Sequence, residues 1–278
     1  MLFKIEDLFE SSVVKRPSRI IKTPYVADVL VNGEEELAHS AALGCCGLSD
    51  KGATVMIAKI ENKSKKEVKC AYRIYLAVVK ERNEEIIVGI HPKLAEDIVE
   101  KSILSNYIPS LKNIKNLKRE YKLFVEGKID SRFDFAGIDD NNIPFILEVK
   151  NVPLADYEDM TNKERKKHNF DDRNINSKVA YFPDGYRKKT DDPVSPRALK
   201  HIQELTYIKK TSKTRAIICF VIQRTDVERF TASVIDMHYR NALIEAINCG
   251  VEVLTVVAKW TKDGCVNFIR SDLPIDLT

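Results

Sequence analysis

The chain has no long apolar run: nothing approaches the ~18 consecutive apolar residues of a membrane-spanning helix. Residues 1–10 carry acids and no apolar core, so no secretory leader is expected. Only ten of 278 residues are glycine. No P-loop, dinucleotide fingerprint or Gly-x-Ser-x-Gly elbow occurs. These absences leave a small-molecule hydrolase or a sugar-binding protein with little support. The six cysteines (Cys45, Cys46, Cys70, Cys219, Cys249 and Cys265) include no Cys-x-x-Cys pair. Neither a zinc site nor a disulfide framework is expected, and a reducing, cytoplasmic compartment is the simplest inference. An excess of one charge is missing too: 45 basic residues against 41 acidic give only +4. A dedicated nucleic-acid domain is usually more basic, so phosphate binding would have to come from local patches.

What is present reads as a globular α/β chain, with 44% hydrophobic and 31% charged residues over a length suited to one large or two smaller domains. The first ninety residues read as short strands, at 25–31, 53–60, 68–80 and 85–90. They are rich in β-branched and aromatic residues, and Asn32-Gly33 marks a hairpin. From His91 the texture changes. The pattern predicts a helix over 92–103 opened by Pro92, and strands over 121–127, 131–138 and 143–152. A helix over 196–210 follows, with Ser195 as cap and Pro196 in its first turn. The nearly continuous apolar run 215–224 predicts a central buried strand. A helix over 236–248 stopped by Gly250 and a strand over 251–260 complete the series.

Two segments carry chemistry. Ser131-Arg132-Phe133-Asp134-Phe135 places Asp134 opposite two rings in an alternating run, and Phe145-Ile146-Leu147-Glu148-Val149-Lys150 places Glu148 and Lys150 together on one face. Adjacent antiparallel strands would bring Asp134, Glu148 and Lys150 together. Two carboxylates suit Mg²⁺ or Mn²⁺, and the lysine could assist an attacking water or stabilise charge on a phosphoryl group. Alternating charges on a strand also serve simply as a solvated face. On the 196–210 helix, Arg197, His201 and Glu204 fall on one stripe. His201 is a candidate acid or base and Arg197 a candidate phosphate ligand; a surface salt-bridge stripe is the alternative.

In order along the chain stand Ser131-Arg132-Phe133-Asp134-Phe135, Glu148-Val149-Lys150-Asn151-Val152-Pro153-Leu154, Phe182-Pro183-Asp184, Arg197-Ala198-Leu199-Lys200-His201-Ile202-Gln203-Glu204-Leu205, and Phe220-Val221-Ile222-Gln223-Arg224. Ala27-Asp28-Val29, His39 and Gly250-Val251-Glu252-Val253 also fit. This set resembles the sugar fermentation stimulation protein family (SfsA). The resemblance implies an OB-like β-barrel over 1–90 and an α/β domain of the PD-(D/E)XK nuclease type, with a central mixed sheet, over 91–278. It also implies DNA binding, single- or double-stranded, with RNA left open and no membrane partner.

On that frame the candidate catalytic residues are Asp134, Glu148, Lys150 and His201. The metal set is Asp134 and Glu148, with Glu96 or Glu100 from the first helix. Nucleic-acid contacts are assigned to Arg132, Arg197, Lys118, Arg119 and Lys200. Further basic runs lie at Lys112, Lys115 and Lys122, at Lys209, Lys210, Lys213 and Arg215, and at Arg187, Lys188 and Lys189. Phe3, Tyr72 and Tyr75 are candidate base-stacking rings. The alternative function is a non-catalytic, regulatory DNA-binding protein that keeps the nuclease-like fold. Two departures stand out. The His39 loop reads Ser40-Ala41-Ala42-Leu43-Gly44-Cys45-Cys46, without the family's Cys-Pro-Asn-Thr-Gly pattern. Residues 156–180 read as a basic insertion, either functional or unstructured.

Overall fold

The structure is a computed structural model that describes residues 1–40, 45–61, 69–185 and 191–277. Arg187, Lys188, Lys189, Val68 and the 41–44 part of the His39 loop lie outside the described residues.

The chain opens with β1 (Phe3–Lys4), β2 (Phe9–Lys15), β3 (Val26–Val31), β4 (Glu34–His39), β5 (Thr54–Lys59), β6 (Tyr72–Glu81) and β7 (Glu84–Gly89). Asn32 and Gly33 both take positive φ (51° and 86°), the backbone that a tight β3–β4 hairpin requires. Strands β2 to β6 follow the order β4-β3-β2-β5-β6, and a parallel β4–β6 pairing (Ala38↔Tyr72, His39↔Arg73) closes them into a five-stranded barrel. That closure is the OB-like topology that the resemblance implied. β7 extends the sheet beyond β6. Sequence reading missed β2 and β4; β4 opens with the polar run Glu34-Glu35-Glu36, which carries no apolar alternation.

The second part runs α1 (Pro92–Leu104), β8 (Lys115–Val125), β9 (Ile129–Ile138), β10 (Pro144–Val152), β11 (Ala155–Asp156), α2 (Asn162–Arg165), β12 (Lys178–Phe182), α3 (Pro196–Thr211), β13 (Arg215–Ile222), β14 (Val227–Ala232), α4 (Met237–Asn248), β15 (Glu252–Trp260) and β16 (Cys265–Arg270). Seven strands form a mixed sheet in the order β1-β16-β15-β13-β10-β9-β8. The meander β8–β9–β10 is antiparallel, whereas β10, β13 and β15 run parallel. β13 lies at the centre, fully buried from Ala216 to Ile222, as its unbroken apolar run predicts. Strands β11, β12 and β14 make a small separate sheet.

Each face of the large sheet is covered. On one side Phe135, Phe145, Leu147 and Val149 pack with Leu94, Ile98 and Val99 of α1 and with Met56, Leu76 and Ile87 of the barrel. On the other, Phe133, Ile146 and Ile218 pack with Ile202 and Leu205 of α3 and with Tyr239 and Leu243 of α4. Barrel and sheet therefore share one core. The division at residue 90 also needs a correction, because β1 pairs with β16 and belongs to the second sheet.

The 156–180 segment is built into the fold. It contains β11, the short helix α2 with a Thr161–Glu164 capping box, and the start of β12. Three of its basic residues are paired within the protein: Arg165 with Asp156, Arg173 with Glu158, and buried Lys178 with Asp226 and Glu81. Among the described residues no helix is long and apolar enough to cross a membrane.

Candidate active site

The site forms where β9 and β10 part. Their ladder ends at Leu147↔Phe135. One residue further, the Asp134 carboxylate accepts a hydrogen bond from the Val149 backbone N–H at 2.7 Å. The expected alternation breaks at the same point. Phe133 and Phe135 do not share a face: Phe133 joins the α3 side and Phe135 the α1 side. Asp134 is thus held at an irregularity that sequence periodicity cannot encode. On β10 the alternation holds; Phe145, Leu147 and Val149 face α1, while Glu148 and Lys150 meet His201 of α3.

Glu148 is 3% exposed and Lys150 is 9% exposed. The Lys150 ammonium donates to Glu148 Oε1 at 2.5 Å, and the same oxygen meets Nδ1 of His201. Nδ1 must carry a proton there, because otherwise two lone pairs would face each other. Glu148 Oε2 is buried and has no hydrogen-bond partner. Burial works to raise the Glu148 pKa, but the Lys150 and His201 charges and hydrogen bonds win and hold it below the ordinary value. Asp134 behaves oppositely: burial, then the Glu148 charge and more weakly that of Glu96, push its carboxyl up to about 7.

These groups open into a cleft of about 420 Å³ lined by Glu96, Asp134, Glu148, Lys150, Asn151 and Arg197, with Tyr25 and Pro92 on the barrel side. Arg197 is exposed at the start of α3, as a phosphate ligand would need. Asp184 joins the rim and accepts from the Gly185 N–H at 2.6 Å, so it serves both as cleft acid and as turn acceptor.

Other assignments change. Of the two α1 acids, Glu96 lines the cleft; Glu100 does not and instead pairs with Arg119. Arg119 is bound by Glu96, Asp97 and Glu100 at 2.9, 2.9 and 3.0 Å, so its charge is spent inside the protein rather than offered to a phosphate. His201 is 4% exposed and sits behind Glu148, outside the cleft lining, which suits a positioning residue rather than an acid or base on substrate. Lys200 turns to the Asp130 carbonyl at 2.7 Å. Arg132 pairs with Glu120 at 2.8 Å, and Lys118 lines a different groove between β8 and α3. None of the runs around Lys112–Lys122 or Lys209–Arg215 lines the cleft; in the second, Lys210 pairs with Glu245 and Arg215 with Asp139 and Glu252.

The candidate stacking rings are engaged as well. Phe3 packs edge-on against Trp260, Tyr72 against Phe9, and Tyr75 beside His91. Sequence reading missed a buried support chain: Trp260 Nε1–H donates to Gln223 Oε1, and Gln223 donates to Asn151 Oδ1, each at 2.7 Å. Asn151 then lines the cleft. Gln223 lay inside a quoted motif, but nothing in the sequence names its partner.

An antiparallel meander carrying Asp134 and Glu148-x-Lys150, flanked by helices and continued by a parallel strand, defines a protein with a nuclease-like α/β core. The family model described as "Sugar fermentation stimulation protein RE domain" matches residues 93–264. The chain belongs to the sugar fermentation stimulation protein family. A homologue from Jannaschia sp. (strain CCS1) is 29% identical over 265 residues, covering 94% of each chain. One from Clostridium perfringens (strain SM101 / Type A) is 29% identical over 255 residues, covering 90% of each. In fold, the chain is similar to the solved structure of Pyrococcus furiosus SfsA in complex with Ca²⁺, with a TM-score of 0.74 at 21% identity over 99% of this chain and 98% of that one.

Proposed function

We propose that this protein binds DNA and hydrolyses its phosphodiester bonds with a divalent cation held at Asp134 and Glu148. The observation that carries this reading is Glu148 Oε2, a buried carboxylate oxygen without a partner, next to an Asp134 carboxyl that burial and Glu148 push up to about 7. Burying two neighbouring acids without a cation between them is unfavourable. A hard cation such as Mg²⁺ or Mn²⁺ fits this donor set. Such an ion takes few protein ligands and keeps several waters. The Pyrococcus furiosus relative was solved with Ca²⁺, another hard divalent cation, and this supports the reading.

Bound there, the cation would polarise a phosphoryl oxygen and lower the pKa of a coordinated water. The protein supplies the rest. Val149 N–H fixes one Asp134 oxygen, and Lys150 with His201 fixes Glu148 Oε1 and leaves Oε2 for coordination. The Lys150 donors not used by Glu148 can reach the attacking water or the charge that develops on the phosphoryl group. Arg197 at the cleft mouth can take a neighbouring phosphate.

The test is cleavage of single-stranded, double-stranded and branched DNA, and of RNA, in EDTA, Mg²⁺ or Mn²⁺. Wild-type protein should cut in metal and not in EDTA, and Asp134→Ala should be inactive. An Asp134→Ala protein that cut as fast as wild type would remove the proposal. A second reading, a DNA-binding protein without catalysis, is favoured by one observation: Lys150 is buried and committed to Glu148 at 2.5 Å. Salt-sensitive DNA binding without cleavage of any substrate would select it.

A further inference from the structure

Where the barrel closes, three nitrogen-bearing side chains meet with no acid among them. His39 on β4 and Arg73 on β6 are direct partners in the short parallel pairing. His91 follows β7 and caps α1, without using its side chain as a cap. The Tyr75 ring braces two of them, with its centroid 5.4 Å from that of His91 and 5.9 Å from the Arg73 guanidinium carbon. Nδ1 of His39, Nδ1 of His91 and Nε of Arg73 are all buried and without hydrogen-bond partners. No carboxylate pairs with Arg73 among the described residues. The remaining charged neighbour, Lys93, is also basic.

Unpartnered nitrogens have a directional consequence. A buried Nδ1 with no acceptor is best left as a bare lone pair, which places the ring proton on Nε2, on the less buried side. Each imidazole then keeps one N–H on the side away from its buried nitrogen, in the group that also holds the unpaired Arg73 Nε–H. Repulsion is visible in the same groups. Burial and then Arg73 lower the His39 pKa, while burial, Arg73, His39 and Lys93 bring His91 down to about 4. An anion would relieve that repulsion and take up the unused donors.

The place is informative. His91 precedes Pro92, and His39 pairs with Val26, which follows Tyr25; Pro92 and Tyr25 line the cleft. The group therefore lies one step in chain or register from two residues of the cleft lining. Neither the Lys112–Lys122 run nor the Lys209–Arg215 run lines this cleft, so neither supplies a cation to a strand crossing it.

We propose that Arg73, His39 and His91 form a phosphate subsite that holds the sugar-phosphate backbone of a polynucleotide entering the Asp134–Glu148 cleft. The identity of the strand rests on the function proposed above; the anion site itself does not.

The test measures binding of a fluorescent oligodeoxynucleotide, single-stranded and duplex, in EDTA across a salt series. Wild type is compared with Arg73→Gln and with His91→Gln, which is the milder change should Arg73→Gln fail to fold. In parallel, the histidine ring-proton signals are followed by NMR while inorganic phosphate is added. Arg73→Gln should weaken oligonucleotide binding about ten-fold and reduce the salt slope by about one. Phosphate should shift the His39 and His91 signals in wild type but not in Arg73→Gln. Wild-type binding matched by both variants, with equal salt slopes, overturns the subsite and leaves the proposed function standing. Phosphate-induced shifts without any nucleic-acid binding do the reverse: the anion site stands and the nucleic-acid reading falls. No binding and no shifts remove both.

Discussion

His201 and Lys150 converge on the same oxygen of Glu148, and the second oxygen is left buried without a partner. A carboxylate held in this way has one oxygen immobilised by protein donors and the other free for a cation. The asymmetry explains why a buried acid, a lysine and a histidine occur together at the end of β10, and the variants below separate their contributions.

Lys150→Met keeps most of the side-chain volume and removes the charge. Cleavage should fall by at least about 100-fold, since charge stabilisation in a water-poor site typically contributes that much. Single-turnover rates with saturating protein measure it; a rate within a few-fold of wild type would show that Lys150 serves the fold alone.

His201→Phe removes the Nδ1–H donor to Glu148 from a residue outside the cleft lining. As a positioning residue, His201 should affect kcat by about ten- to 100-fold and leave KM nearly unchanged. The pH–rate profile should keep the same limbs as wild type. Loss of one limb would instead mean that the imidazole itself exchanges protons with the reacting groups.

Asp134 gives a pH signature that does not depend on activity. Its folded value of about 7 lies above that of an unfolded Asp, so the folded state retains a proton that the unfolded state releases. Its contribution to stability therefore falls as pH rises between ~4 and ~7. Asp134→Asn should match wild type near pH 4 and exceed it above pH 7 by about 1 kcal/mol or more in metal-free buffer. Melting curves across pH check this, and added Mn²⁺ should raise the wild-type Tm mainly at the higher pH.

Arg119 is tied to three carboxylates of α1 and lies 5.5 Å over the Phe135 ring. Arg119→Ala should cost about 1–2 kcal/mol in denaturant titration, discounted for its partial exposure, and leave the salt slope of DNA binding unchanged. A slope reduced by about one would return Arg119 to the nucleic-acid surface.

The seam between barrel and sheet is tested at Gly89. A Cβ there would come within 2.3 Å of Gln223 Oε1 and 2.6 Å of Trp260 Nε1. Gly89→Ala should destabilise by about 1–3 kcal/mol through overpacking. Gln223→Leu should lower both stability and cleavage, because Asn151 loses its donor at the cleft. Denaturant titration paired with cleavage rates reads both effects.

Most of the elements of the second sheet and the central motif are legible in local pattern. Periodicity set the β10 face that carries Glu148 and Lys150, the apolar run set β13 as a buried strand, Ser195 marked the start of α3, and Gly250 marked the end of α4. These are local properties, written in spacings of two and 3.6 residues. Which elements meet is a long-range matter, set by packing in the folded chain. It broke the alternation at Asp134, chose Glu96 over Glu100 for the cleft, and spent Arg119 on α1. It also turned His201 inward behind Glu148 and gathered His39, Arg73 and His91 from three separate segments. A charged side chain in sequence carries no record of its partner, and burial beside that partner decides whether it serves the fold or the substrate.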